Sequence, residues 1–174
     1  ISASDIIASQ IVIEINPNQD TITLKAVIFA GGFGTRLTEL TYEKPKPMVE
    51  IGGHPIIWHI LNLFEAAGVE EFIILVGYKG SIIKKYFADL ALTSSDLEID
   101  LANNEVRLLN GSKKNWKVTL LDTGLDTMTA GRLLRAKEAI GNEEFFLTYG
   151  DGLCNVDLNL VRKFHNEKQA LVTL

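Results

Sequence analysis

The sequence predicts an α/β fold in which helices cover both faces of a Rossmann-like, mostly parallel sheet. A short, uninterrupted apolar run occurs at residues 26–30, which is typical of a strand buried on both faces. The largely apolar residues 71–76 and 145–149 are further predicted strands. Segments with apolar residues at helical spacing separate these runs. A repeated alternation of buried strands and amphipathic helices indicates parallel strands joined by helical crossovers.

Residues 1–24 do not share this alternation. Residues 11–15 have the composition of a strand, and the Asn-Pro-Asn-Gln-Asp sequence at residues 16–20 is a strong turn signal. We therefore expect residues 1–24 to be an N-terminal appendage of unknown role, and residues 25–174 to form the α/β domain.

The first two helices of the domain flank a buried strand at residues 71–76. Pro55 suits the first turn of a helix that Gly68 would follow. Ser81 is the expected N-cap of the second helix. The apolar face of that helix consists of Ile82, Ile83, Tyr86, Phe87 and Leu90.

A hairpin is expected next, because residues 97–101 and 106–108 alternate apolar and polar side chains around an Asn-Asn turn. Residues 116–121 are a predicted strand. Residues 130–140 are a predicted helix, which Gly141 ends.

The last part of the chain begins with the strand at residues 145–149. Asp157 is the expected N-cap of a helix whose inward-facing side chains include Val161 and Phe164. Residues 171–174 are expected to begin one more strand.

Size and composition are those of a globular protein with one compact domain. The chain has 174 residues, 47% of them hydrophobic and 22% charged, with a net charge of −5. This charge argues against nonspecific nucleic-acid binding, which needs a large basic field. We expect no membrane partner, because no apolar run approaches the roughly 20 residues of a membrane span and no secretory signal is present. Cys154 is the only cysteine, which excludes an internal disulfide and fits a cytoplasmic protein.

A glycine-rich turn follows the first strand of the domain. Gly31, Gly32 and Gly34 let the backbone turn sharply and approach a ligand closely. Successive N–H groups in such a turn form a concave anion site, to which Thr35 adds a hydroxyl and Arg36 a guanidinium. These residues predict a phosphate-binding loop, and the alternative is a turn whose glycines serve only the backbone.

Two familiar phosphate loops do not fit this turn. A dinucleotide-binding fingerprint requires a glycine at residue 37, which is leucine. A Walker A loop requires Gly-Lys-Ser/Thr after its spacer, and no such tripeptide follows. The turn is therefore of a third type, with an arginine inside it and lysine–proline pairs further on.

Ligands of open α/β sheets lie beyond the carboxyl ends of the strands. The glycine-rich turn, residues 122–124 (Asp-Thr-Gly) and residues 150–152 (Gly-Asp-Gly) all fall at such ends. Asp151 is the best candidate for a Mg²⁺ ligand, because Mg²⁺ binds one or two carboxylates and completes its shell with water and phosphate oxygens. The alternative is a solvated aspartate that caps its own turn.

Lys46 stands between Pro45 and Pro47, which stiffen the backbone and restrict where its ammonium group can go. The alternative is an ordinary solvated lysine, as we expect for Lys44. The histidines share no metal-ligand spacing and are interpreted as structural or exposed; they are His54, His59 and His165.

Taken together, these residues show that the chain resembles the sugar-nucleotide pyrophosphorylases, whose signature is a Gly-Gly-x-Gly-Thr-Arg-Leu loop followed by Pro-Lys-Pro. Within this family it is most similar to the branch that transfers cytidylyl groups. The resemblance covers residues 25–174 and not residues 1–24. The matching segments are Phe29-Ala-Gly-Gly-Phe-Gly-Thr-Arg-Leu37, Lys44-Pro-Lys-Pro-Met-Val-Glu-Ile-Gly-Gly53, Gly77-Tyr-Lys-Gly80, Trp116-Lys-Val-Thr-Leu120, Asp122-Thr-Gly124, Met128-Thr129, Gly131-Arg-Leu133 and Thr148-Tyr-Gly-Asp-Gly152.

The resemblance implies the nucleotide-diphospho-sugar transferase fold, of which residues 25–174 would be the N-terminal portion. It implies an enzyme that uses Mg²⁺ to convert CTP and α-D-glucose 1-phosphate into CDP-glucose and pyrophosphate, by in-line attack of the sugar phosphate on the α-phosphorus. It also implies a homo-oligomer at full length and a role in deoxysugar and surface-polysaccharide (O-antigen) synthesis.

The resemblance assigns site residues as well. Arg36 and Lys46 would stabilise phosphates as the catalytic residues, and Asp151 would hold the metal ion. The nucleotide would be bound by Phe29, Ala30, Gly31, Gly32, Phe33, Gly34, Thr35, Arg36, Lys46, Thr127, Arg132 and Gly150.

The chain departs from the family pattern in three places. Ala130 stands where the family usually has glycine, and His54 replaces a common lysine. The family continues beyond residue 174 through much of the sugar-binding region, including a second metal-binding aspartate. Two alternatives therefore stay open: a catalytically silent nucleotide-binding or assembly module, and a relative that transfers thymidylyl or uridylyl groups.

Overall fold

The computed structural model describes residues 12–13, 24–32, 44–109 and 114–174. A 3-10 turn spans Lys46–Met48. The strands and helices, in chain order, are β1 (Val12–Ile13), β2 (Lys25–Ala30), β3 (Glu50–Ile51), β4 (His54–Pro55), α1 (Ile56–Ala66), β5 (Glu71–Val76), α2 (Gly80–Thr93), β6 (Leu97–Asp100), β7 (Glu105–Leu108), β8 (Lys117–Asp122), α3 (Thr129–Ile140), β9 (Phe145–Tyr149) and α4 (Leu158–Lys168).

Within the described ranges, the central sheet has five strands in the order β1-β9-β2-β5-β8. Strands β9, β2, β5 and β8 are parallel to one another, which confirms the predicted Rossmann-like α/β fold. Strand β1 pairs antiparallel with β9 at the edge, inside the strand predicted for residues 11–15. The assignment of residues 1–24 as an appendage stays a prediction, because most of them lie outside the described residues.

Successive residues of the central strands belong to two apolar clusters on opposite faces of the sheet, because side chains alternate along a strand. Ile28 and Ile74 are fully buried against α1, α2 and α4. Val27 and Ile73, one residue earlier in each strand, are buried against α3. The sheet is therefore covered on both faces, as uninterrupted apolar strands require.

Replacing Ile74 by alanine is expected to lower the free energy of unfolding by about 2–5 kcal/mol, because the truncation leaves a cavity in the central strand β5. Urea denaturation measures this loss. The matched control is Ile99→Ala in the hairpin, where the side chain is 57% exposed and a change within about 0.5 kcal/mol is expected. Equal losses in the two variants would contradict the burial of Ile74.

The N-cap of helix α2 lies two residues before the predicted one. The N-cap is Lys79, in the left-handed region with φ 51°, so the prediction of Ser81 as N-cap was wrong. Gly80 lies directly against the end of β5, four residues earlier in the chain, since a Cβ on Gly80 would lie 2.9 Å from Cβ of Val76. A glycine at this position lets the helix start directly against the end of β5.

Helix α4 begins as predicted, with the Asp157 carboxylate accepting hydrogen bonds from the backbone N–H groups of its first turn at 3.0 and 3.2 Å. The prediction that Phe164 faces inward was wrong, since its side chain is 51% exposed. The inner face instead carries Leu158, Val161 and His165. Residues 158 and 165 are seven positions apart and share a helix face, whereas residue 164 lies well round from it.

The predicted hairpin is confirmed as β6 and β7, but its apolar side chains are largely exposed. The strand predicted at residues 171–174 is absent, and Leu171 is 80% exposed. Residues 171–174 belong to none of the sheets in the described part of the chain. None of the helices in the part of the chain that the structure describes is long and apolar enough to cross a bilayer.

Candidate functional site

The order of the parallel strands creates a crevice between β2 and β9. From β2 the chain adds β5 and then β8 on one side, and returns to place β9 on the other. Such a reversal is the topological switch point at which ligands of open α/β sheets bind, beyond the carboxyl ends of the strands. The sheet order alone therefore selects this position for a ligand.

A cavity of about 540 Å³ opens at this switch point, within the usual size range of small-molecule sites. It is lined by Phe29, Ala30, Gly31, Gly32, Lys46, Pro47, residues 125–129, Arg132, Tyr149 and Asp151.

The cavity brings together most of the site residues that the sequence predicts. The predicted residues that line it are Phe29, Ala30, Gly31, Gly32, Lys46, Thr127, Arg132 and Asp151. Four others lie outside the described residues, namely Phe33, Gly34, Thr35 and Arg36. All of these assignments stay predictions.

Gly150 does not line the cavity but lies directly behind it. Its backbone N–H donates a hydrogen bond to the carbonyl oxygen of Phe29 at 2.8 Å. A Cβ at this position would lie 3.1 Å from that same oxygen and 3.1 Å from Cγ of Pro47. The absence of a side chain thus lets the end of β9 pack closely against both the end of β2 and the 3-10 turn.

The 3-10 turn places a lysine beside the end of β9. Pro47 and Met48 are buried and anchor the turn, while Nζ of Lys46 lies 3.3 Å from Oδ2 of Asp151. The Lys46 and Asp151 side chains are 22% and 38% exposed, so their ion pair contributes little stability. Its consequence is chemical, because an ammonium group and a carboxylate stand together at the cavity wall.

Asp151 fits a Mg²⁺ site in which the protein supplies few of the ligands. No group of three or more His, Cys, Asp or Glu side chains among the described residues is arranged to hold a metal ion. Mg²⁺ bound with a nucleotide needs only one or two carboxylates, since water and phosphate oxygens complete its octahedron. Asp151 supplies one partly exposed carboxylate on the cavity wall.

The loop after β8 forms the opposite wall of the cavity and is tied to the end of β5. The Thr123 backbone N–H and hydroxyl both donate hydrogen bonds to the Val76 carbonyl oxygen at 2.9 Å. The Asp122 carboxylate accepts a hydrogen bond from the N–H of Gly124, which has a φ of 87°. The Asp-Thr-Gly motif therefore shapes the loop, and the five residues that follow it line the cavity.

Arg132, which the sequence predicts to contact the nucleotide, is buried and hydrogen-bonded to other parts of the protein. Its side chain is 5% exposed. Nη1 donates to the Thr123 hydroxyl at 2.6 Å and to the Val76 carbonyl at 3.3 Å. Nη2 donates to the carbonyls of Gly31 at 3.0 Å and Leu125 at 3.3 Å. Four of its five N–H groups therefore have protein acceptors.

Burial lowers the pKa of the Arg132 guanidinium, and repulsion from Arg135 lowers it further, whereas the Asp122 carboxylate opposes both effects. An arginine remains charged in spite of such shifts, because its ordinary pKa lies far above neutrality. The cavity wall therefore carries a buried positive charge in addition to Lys46.

Sequence reasoning missed several lining residues, among them Leu125, Asp126, Met128, Thr129 and Tyr149. The first four follow the Asp-Thr-Gly motif directly, which is the signal that could have indicated them. Tyr149 ends β9, and its ring centroid lies 5.2 Å from that of Phe29 on the neighbouring strand.

Residues 25–174 match the family described as Nucleotidyl transferase. The chain is 50% identical over 151 residues to the probable glucose-1-phosphate cytidylyltransferase of Bacillus subtilis (strain 168), covering 87% of this chain and 59% of that protein. It is 48% identical over 152 residues to the glucose-1-phosphate cytidylyltransferase of Salmonella typhimurium (strain LT2), with the same two coverages. The chain thus spans 59% of the length of these relatives.

The fold is also similar to that of a solved UDP-glucose pyrophosphorylase from Acinetobacter baumanii, with a TM-score of 0.62. The two sequences are 22% identical, and the match covers 86% of this chain and 54% of the other. This likeness confirms the fold, and the sequence matches confirm the resemblance to the family.

Proposed function

The chain belongs to the nucleotidyl transferase family, and from that premise we propose that its cavity binds CTP and that the protein transfers a cytidylyl group to α-D-glucose 1-phosphate. The observation that carries this proposal is the arrangement of Gly31, Lys46 and Asp151 around one cavity at the topological switch point. Identities of 50% and 48% to glucose-1-phosphate cytidylyltransferases support cytidylyl as the group transferred.

In the proposed reaction, an oxygen of the sugar phosphate attacks the α-phosphorus of CTP and forms a new P–O bond. The bond from the α-phosphorus to the oxygen that bridges it to the β-phosphorus breaks, and pyrophosphate leaves with that electron pair. The sugar phosphate is already an anion, so no general base is required. The protein must align two mutually repelling anions and stabilise the charge that develops on the phosphates.

Each side chain of the site has a part in that task. The Lys46 ammonium group would stabilise phosphate oxygens, and the backbone at Gly31 and Gly32 would admit them closely. Asp151 would hold Mg²⁺, which when bound neutralises charge on the phosphate oxygens. Arg36 would add a second cation, by the resemblance alone.

The second candidate is a nucleotide-binding module without turnover. The observation that favours it is that this chain spans 59% of the length of its relatives. A chain of this extent would carry the nucleotide half of the site, and the sugar half would lie in the remainder of a longer protein.

Pyrophosphate release separates these candidates. We expect the chain extended to the length of its relatives to use CTP with glucose 1-phosphate about tenfold or more better than UTP or dTTP, since a pocket that hydrogen-bonds one base rejects analogues that lack the matching groups. Equal or better use of UTP or dTTP would exclude cytidylyl transfer as the function. For the 174-residue chain itself, binding of CTP without turnover supports the module, and turnover excludes it.

A further inference from the structure

The Arg132 guanidinium occupies a slot between two glycines that end neighbouring strands. Gly31 follows β2 and Gly77 follows β5. A Cβ on Gly31 would lie 2.5 Å from Cζ of Arg132, and a Cβ on Gly77 would lie 2.6 Å from Nη1. Both distances are far shorter than real carbon contacts, so the guanidinium fits only because neither residue has a side chain.

Four hydrogen bonds from this group join three separate segments of the chain. The acceptors are the end of β2 at Gly31, the end of β5 at Val76, and the loop after β8 at Thr123 and Leu125. A planar guanidinium can donate in several fixed directions within one plane, whereas the ammonium group of a lysine is a compact point charge. Lysine is therefore a poor substitute at this position.

Two of the joined segments form opposite walls of the cavity. Gly31 belongs to the wall beside the glycine-rich turn, and Leu125 begins the wall formed by residues 125–129. Because the Nη2 atom of Arg132 donates to the carbonyls of both residues, it fixes the spacing between the walls.

We infer that Arg132 is a positioning residue that sets the width of the cavity by holding its two walls together through the slot formed by Gly31 and Gly77. The inference rests on the proposed function for the identity of the ligand, whereas the slot itself does not depend on any ligand. Gly31 thus makes room for the Arg132 guanidinium as well as for a phosphate. Gly77 makes room for the same group, although it does not line the cavity.

A double-mutant cycle on stability tests the slot without any nucleotide. Gly31→Ala is expected to lower the melting temperature of the otherwise unchanged chain, because the new Cβ must displace the guanidinium. In the Arg132→Ala background the same change should cost little, so the two effects are not additive. Gly32→Ala is the matched control, since no atom lies within 4 Å of a Cβ built there. Additive effects of Gly31→Ala and Arg132→Ala would overturn the inference.

Hydrogen exchange of the nucleotide-free chain tests the positioning role. In Arg132→Ala we expect faster exchange at residues 31–32 and 125–129, because the walls are no longer joined. Millimolar guanidinium, far below the molar range that unfolds proteins, should restore slow exchange by filling the slot. Arg132→Lys should also exchange faster and should not be rescued. Exchange that is unchanged in Arg132→Ala would mean that Arg132 acts only by touching a ligand.

The CTP affinity of the same variants links the slot to the ligand. Arg132→Ala is expected to weaken CTP binding about tenfold or more, in line with the loss of one or more buried hydrogen bonds, and guanidinium should restore it. Gly77→Ala should also weaken binding in the presence of Arg132. The loss should be smaller but not zero in its absence, because the new Cβ would also lie 2.9 Å from the carbonyl oxygen of Gly124. Arg107→Ala on the exposed hairpin is the control. If the chain without substitutions binds none of CTP, UTP and dTTP, the proposed function fails. The double-mutant cycle and the exchange rates would still show whether Arg132 holds the two walls together.

Discussion

Turnover of the extended chain is expected to fall roughly 100- to 1,000-fold when Lys46 is replaced by methionine, which is the usual effect of removing one preorganised donor from a developing charge. The flanking Pro45 and Pro47 and the buried Met48 hold this lysine in place, so its ammonium group needs little reorganisation to meet a phosphate. Among the described residues that line the cavity, the basic ones are Lys46 and Arg132. Because four donors of Arg132 are bonded to protein acceptors, its guanidinium is not free to donate to a phosphate in place of Lys46.

The measurement is pyrophosphate release at saturating CTP and glucose 1-phosphate. Lys46→Arg should recover part of the rate, since it restores the charge but changes its geometry. Lys44→Met is the matched control, because the Lys44 side chain is 52% exposed and pairs with Glu50 away from the cavity. A rate for Lys46→Met equal to that of the control would remove Lys46 from the mechanism.

Asp151→Asn is expected to lower turnover about 100-fold or more at a fixed Mg²⁺ concentration. The substitution keeps the size of the side chain and removes its negative charge, so it separates metal binding from packing. It also leaves Lys46 without its ion-pair partner at 3.3 Å. Because an amide is a much weaker Mg²⁺ ligand than a carboxylate, raising the Mg²⁺ concentration should recover part of the lost rate.

Calorimetric titration of Mg²⁺ into the CTP-bound chain provides a readout independent of turnover, and a weaker Mg²⁺ affinity is expected for Asp151→Asn. The control is Asp89→Asn, an exposed aspartate that pairs with Lys85 on α2. An unchanged Mg²⁺ affinity in Asp151→Asn would show that the carboxylate does not hold the metal ion.

The central strands could be predicted to within a residue because their signal is local. A largely apolar run of five or six residues is typical of a strand buried on both faces, and β2, β5 and β9 coincide with such runs. The start of α2 could not be predicted in this way. The backbone turns into the helix at Lys79, which is in the left-handed region, and Gly80 packs closely on Val76. The helix therefore begins before Ser81, which looked like the cap.

At the candidate site, some residues could be predicted from their sequence neighbours, and others depend on contacts between distant parts of the chain. Asp151 stands between two glycines and Lys46 between two prolines, so their adjacent residues were enough to indicate them as site residues. The burial of Arg132 could not be predicted in this way, because it depends on Gly31 and Gly77, which the sheet brings together from distant parts of the chain. The lining residues after the Asp-Thr-Gly motif likewise become a cavity wall only through the strand order.

The most direct measurement is a map of where a nucleotide binds. Amide chemical shifts of the 174-residue chain would be followed by NMR while CTP and Mg²⁺ are added. We expect shifts concentrated at Gly31, Gly32, Thr127 and Asp151, with the hairpin of β6 and β7 unaffected. Shifts centred on any other surface, or none at millimolar CTP, would contradict the assignment of the cavity between β2 and β9 as the nucleotide site.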